Sequence, residues 1–137
     1  EGKKLPVKHC ICGEDGWRLN QEVGDALSNN ISVDDNKDKS ILLDGMYRKS
    51  TFGSLDLQND CETEFGKYKR LHPENVEITL IGLCTDICVI SNAMLLKAAL
   101  PEAKIIVDAS CCAGVTPESH KNALEAMKMC QIEIINE

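Results

Sequence analysis

The sequence predicts an α/β fold: a parallel β-sheet in a three-layer α/β/α arrangement, with helices on both faces. Three observations carry this. Apolar runs of strand length recur at residues 77–83, 103–110 and 131–136. Segments with helical apolar spacing, 86–100 and 116–129, alternate with them. The connections are short, and strand–helix–strand alternation on short connections builds right-handed βαβ units.

The elements follow in chain order. "NQEVGDALSN" (20–29) suggests a short helix, "DDNKDK" (34–39) a polar loop, and "SILLDG" (40–45) a strand. "LQNDCETEFGKYKR" (57–70) reads as a helix leading toward the run "EITLIGL" (77–83), a buried-strand candidate. "DICVISNAMLLKAAL" (86–100) places Ile87, Ile90, Leu95 and Leu96 at helical spacing and stops at Pro101. "AKIIVDAS" (103–110) is a second buried strand. "TPESHKNALEAMKM" (116–129) opens with Thr116 as N-cap and Pro117 at the first helical position, and Ala123, Leu124 and Met127 form its apolar face. "QIEIIN" (131–136) closes the chain as a third strand. Residues 1–137 are expected to form a single domain. Its clear strands crowd into the C-terminal half, so the expectation is a domain incomplete at its N-terminus.

Composition narrows the function classes. The chain has 137 residues, 43% of them hydrophobic and 27% charged, an ordinary globular balance. A formal net charge of −7 argues against nucleic-acid or anionic-membrane partners, which need clustered Lys and Arg. No apolar run approaches the ~20 residues of a membrane span. Eight cysteines are present without any C-x-x-C pair, which leaves zinc-ribbon and thioredoxin readings without their motif. Cys84, Cys88, Cys111 and Cys112 sit in apolar runs, as reduced, buried thiols of a cytoplasmic protein would. Cys111 and Cys112 read as core or loop residues, a vicinal disulfide being the lesser alternative.

The stretch "GLCTDICV" lies where strand 77–83 turns into the next helix, and open α/β sheets bind ligands beyond the carboxyl ends of their strands. If Thr85 or Asp86 caps that helix, Cys88 falls in its first turn. Unpaired N–H groups there favour a thiolate and can hold an oxyanion. The competing reading is a small apolar residue facing the core. Spacing alone does not decide between them.

The stretch from Ile78 to Met127 resembles the nucleophile region of the isochorismatase-like cysteine hydrolases, the superfamily that includes nicotinamidases. That family ends a strand in Gly-x-x-Thr-Asp-x-Cys-Val, which Gly82, Thr85, Asp86, Cys88 and Val89 match. The next strand ending in Asp108 and Ala109, followed by a loop and a His-containing helix, is also similar. Upstream, "YRKSTFGSLDL" (47–57) resembles the segment that carries the family's catalytic lysine, here Lys49. "LPVKHCICGEDG" (5–16) resembles the nicotinamidase Pro-x-His-Cys segment, with one more residue between Pro6 and His9, and points to that branch.

The resemblance implies a Rossmann-like hydrolase that cleaves nicotinamide to nicotinate and ammonia with an Asp–Lys–Cys triad. Cys88 would be the nucleophile and Lys49 its partner. The backbone N–H groups of Cys84 and Cys88 would form the oxyanion hole, the former presented by a cis peptide between Leu83 and Cys84. His9 would bind a divalent metal, zinc by the family's example, and the protein would act as a cytoplasmic homo-oligomer. The triad Asp and the other metal ligands should precede His9, but only eight residues do; "DLQND" (56–60) lies on the wrong side of Lys49. The expectation is therefore that the chain lacks roughly the family's first third. Hydrolysis of another small amide or of a vinyl ether, a catalytically silent binding domain, and a redox role for Cys84 and Cys88 remain as alternatives. Lys49 read alone is a solvated surface residue, His9 a loop residue, and His72 and His120 structural residues.

Overall fold

The computed structural model describes residues 10, 11, 13–30, 47, 49–69 and 76–137, with the backbone alone at 27–30 and 65–69. The strand expected over 40–45, the loop over 34–39, His9 and His72 lie outside the described residues. The chain divides into two compact units, Glu1–Ile41 and Leu42–Glu137.

In the first unit a 3₁₀ turn, Asp15–Trp17, precedes helix α1, Gln21–Asn30. Asn20 caps α1, its Oδ1 accepting the Glu22 N–H at 2.9 Å.

The second unit contains α2 (Leu55–Lys69), β1 (Glu77–Leu83), α3 (Ile90–Ala99), β2 (Lys104–Ala113), α4 (Pro117–Met129) and β3 (Glu133–Ile135). The three strands run parallel in the order β1-β2-β3. Helices α3 and α4 both pack on β2 and touch each other, and α2 packs against α3. The parallel α/β class is the one read from the sequence.

Burial sorts the strands. Central β2 buries Ile105, Ile106, Val107 and Ala109 in near-continuous succession, as a strand covered on both sides does. In β1 only alternate residues, Ile78, Leu80 and Gly82, are half-buried, while Ile81 and Leu83 stand 62% and 69% exposed. The fully buried strand expected at 77–83 is thus a half-buried edge of the described sheet. Register changes near its end. Leu80 faces Val107 whereas Gly82 faces Cys112, so β2 bulges over Asp108–Cys111, and Gly82 takes a φ of 125° that suits glycine.

The core lies between the sheet and α3 and α4. Ala93 and Leu96 of α3 and Leu124 and Met127 of α4 meet Ile105 and Val107 of β2. Helix α3 ends ahead of Pro101, with Lys97 Nζ donating to the Pro101 carbonyl at 2.9 Å. Helix α4 begins with a reciprocal cap. Thr116 Oγ1 accepts the Ser119 N–H at 3.1 Å, and Ser119 Oγ accepts the Thr116 N–H at 3.0 Å. Among the described residues no helix is long and apolar enough to cross a membrane.

Two substitutions test this packing by urea denaturation. Met127→Ala, which empties a fully buried position, is expected to lower stability by about 2–5 kcal/mol. Thr116→Ala, which opens the α4 cap, is expected to cost about 1 kcal/mol.

Candidate active site

Strand β1 ends at Leu83, and the Leu83–Cys84 peptide is cis. The chain then makes a single π turn, Thr85–Val89, before α3 begins. The Cys84 carbonyl accepts the N–H of Val89 at 3.0 Å and that of Ile87 at 3.1 Å. Neither Thr85 nor Asp86 caps this turn, contrary to the sequence expectation. Thr85 is wholly buried, so its hydroxyl needs an internal partner, and it finds His120 Nδ1 on α4 at 2.8 Å. The Asp86 carboxylate turns the same way and accepts the Val115 N–H at 3.1 Å. Competition from these longer-range partners removes both side chains from capping. Close approach makes the arrangement possible: a Cβ on Gly114 would fall 2.8–2.9 Å from His120 atoms.

The π turn leaves Cys88 half-buried, with its sulfur facing the segment that carries Lys49. Lys49 Nζ donates to Cys88 Sγ at 3.3 Å and to the Thr51 carbonyl at 3.1 Å. The segment is held at both ends. Tyr47 donates its hydroxyl proton to Asp60 of α2 at 2.8 Å. At the other end Ser54, itself buried, caps α2 by accepting the Leu57 N–H on its Oγ at 3.2 Å and donates its own N–H to Asn92 Oδ1 at 2.9 Å. Asn92 Nδ2 in turn donates to the carbonyls of Cys88 at 2.8 Å and Phe52 at 3.4 Å. Gly53 lies so close to α3 that a Cβ would sit 2.6 Å from Leu95 Cδ1.

Burial pushes the thiols of Cys61, Cys84 and Cys112 up, and the carboxylate of Asp86 adds to the effect on Cys84. The seven described cysteines are all free. Of the four expected to be buried, Cys84, Cys88 and Cys112 are half-buried and Cys111 is exposed, because the β2 bulge carries the last pair to the rim. Among the described cysteines the fully buried thiol is Cys61 on α2.

Among the described residues no three His, Cys, Asp or Glu side chains are grouped to hold a metal ion, and His9 is not among them. No described carboxylate hydrogen-bonds Lys49 or Cys88. An apolar groove of about 520 Å³ runs between Gly53 and Ile90, Ser91, Met94 and Leu95. Neither Lys49 nor Cys88 lines it, so it is not where a substrate carbonyl would meet the sulfur.

Cys88, Lys49, Cys84 and Leu83, the residues expected from the sequence, come together at the end of β1. Asn92 and Gly53 stood outside those expectations, while His120, expected to be structural, bonds Thr85. The one available signal was the four-residue helical spacing from Cys88 to Asn92.

The family model for the isochorismatase domain matches residues 44–136, a span that contains Lys49 and Cys88. The chain belongs to this family. Its structure is similar to the crystal structure of the nicotinamidase/pyrazinamidase PncA from Bacillus subtilis, at 21% identity and a TM-score of 0.66 over 95% of this chain and 63% of that one. It is also similar to the pyrazinamidase of Pyrococcus horikoshii in complex with zinc, at 18% identity and a TM-score of 0.57, over 96% and 63% of the two chains. The chain therefore spans less than two thirds of these relatives, and at such identities the likeness establishes the fold. No curated protein gave a significant match.

Asp86 offers a test of the turn. The Ser119 hydroxyl, and then the Val115 N–H, hold its carboxyl below the usual carboxylate range. A carboxyl depressed in the folded state stabilises the fold above its unfolded value of about 3.9, and that contribution is lost as pH falls through the folded value. Asp86→Asn is expected to destabilise the protein at pH 7 and to flatten this part of the acid limb. Urea midpoints between pH 7 and pH 3 measure both effects.

Proposed function

We propose that this domain belongs to an amidohydrolase of the nicotinamidase type, with Cys88 as nucleophile and Lys49 as its cationic partner. The observation that carries the proposal is the 3.3 Å contact between Lys49 Nζ and Cys88 Sγ, made between residues 39 positions apart in the chain. An ammonium in hydrogen-bonding contact with sulfur favours the thiolate, which is the attacking form.

In this reading the Cys88 thiolate adds to the carboxamide carbon of a small amide and the carbonyl electron pair moves onto oxygen. The backbone N–H groups of Cys84 and Cys88 receive that oxyanion. Collapse of the tetrahedral species breaks the C–N bond, and ammonia leaves with a proton delivered by a general acid. The resulting Cys88 thioester is attacked by water, which loses its proton to the same group now acting as base, and the carboxylic acid departs with the thiolate restored. Lys49 stabilises the thiolate at the start and end of the cycle. The acid–base group would be a carboxylate of the full-length protein, as the family resemblance implies. Nicotinamide as the substrate is supported by the name of the Bacillus subtilis relative and by the resemblance of the Pro6–His9–Cys10 segment to that of nicotinamidases. A cytoplasmic homo-oligomer is part of the same reading.

Ammonia release from nicotinamide by full-length protein tests it. Cys88→Ala is expected to abolish turnover, and Lys49→Ala to slow it by about 10²-fold or more. Equal rates in all three proteins would sink the assignment. Turnover of another small amide with the same dependence on Cys88 and Lys49 would change the substrate and keep the chemistry.

A further inference from the structure

We infer that Asn92 is a positioning residue that holds the Lys49 ammonium against the Cys88 sulfur. The inference rests on the Lys49–Cys88 pairing proposed above. Asn92 lies four residues beyond Cys88, in the first turn of α3. Its amide is fully engaged across two segments. Nδ2 donates to the Cys88 carbonyl at 2.8 Å and to the Phe52 carbonyl at 3.4 Å, while Oδ1 accepts the Ser54 N–H at 2.9 Å. The Ser54 N–H can only donate, so the orientation of the amide is set by its partner. One planar group thus clamps residues 52–54 to the turn that carries the nucleophile.

The clamp reaches Lys49 through its own segment. Lys49 Nζ bonds the Thr51 carbonyl at 3.1 Å, and Thr51 Oγ1 donates to the Gly53 carbonyl at 2.7 Å. Gly53 allows residues 52–54 to close on α3 without meeting Leu95. Loss of the Asn92 amide releases the far end of the segment, and the ammonium loses its fixed place beside the sulfur. Asn92 touches neither reacting atom.

The test reads the charge beside Cys88 directly. Full-length protein is alkylated with anionic iodoacetate and with neutral iodoacetamide, and the two rates at the Cys88 peptide are followed by mass spectrometry. A cation next to the sulfur speeds the anionic reagent selectively, so Lys49→Ala is expected to lower the iodoacetate-to-iodoacetamide rate ratio about fivefold. Asn92→Ala, and Asn92→Leu of similar volume, are expected to lower it comparably, with no further fall when either is combined with Lys49→Ala. Both substitutions suit a helix, so folding is expected to survive, and circular dichroism checks it. A ratio unchanged in the Asn92 variants while Lys49→Ala lowers it overturns the role of Asn92 and leaves the Lys49–Cys88 pair standing. An independent, additive fall in the double variants also overturns it. An unchanged ratio in Lys49→Ala removes the pair, and the role of Asn92 with it.

Discussion

A hydroxyl without access to water fixes the end of β1. Thr85 is wholly buried, and an unpaired hydroxyl at that position would cost about 1–3 kcal/mol, so the turn settles where Thr85 can reach His120 on α4. Everything that follows depends on this. The bond ties the π turn to a helix that arrives 35 residues later, Asp86 adds a second tie through the Val115 N–H, and Cys88 is left on the side facing Lys49. The turn that carries the sulfur is held by its neighbours more than by its own caps.

The β1–α3–β2 unit supplies the rigid part of this arrangement. Alanine and leucine on α3 and methionine on α4 fill the space over central β2, so the helix bearing Asn92 cannot shift independently of the sheet. Polar chemistry is confined to the rim, where β1 ends and the bulge of β2 begins. Apolar packing sets the position of α3, and a few directional hydrogen bonds set the loop that faces it.

Much of this was legible in the sequence. Strand 77–83, the α4 cap at Thr116 and Pro117, and the stop at Pro101 were readable because each depends on local chemistry, namely run length, capping and the missing proline N–H. The α/β class followed from their alternation, and the residues of "GLCTDICV" carried the family resemblance. What was not legible depends on contacts distant in the chain. Thr85 and Asp86 look like caps, and only α4 and the loop before it, well downstream, show that they bond elsewhere. The β1 run looked fully buried, yet its other face carries exposed Ile81 and Leu83, since an apolar run does not report which neighbour covers it. Asn92 gave no signal beyond its spacing, because a clamp is visible only once both of the segments it joins are in place.

The bulge in β2 has a consequence for how such a domain can change. A one-residue slip in a strand normally turns every side chain to the opposite face, which ties the register of the rim to that of the core. Here Leu80 and Val107 hold the register on one side of the irregularity, and Gly82 and Cys112 hold it on the other. Insertions or deletions between Asp108 and Cys111 would fall between the paired positions, leaving Ile105 and Val107 in the core. The rim at the end of β1 can therefore be remodelled by evolution while the hydrophobic interior remains unaltered.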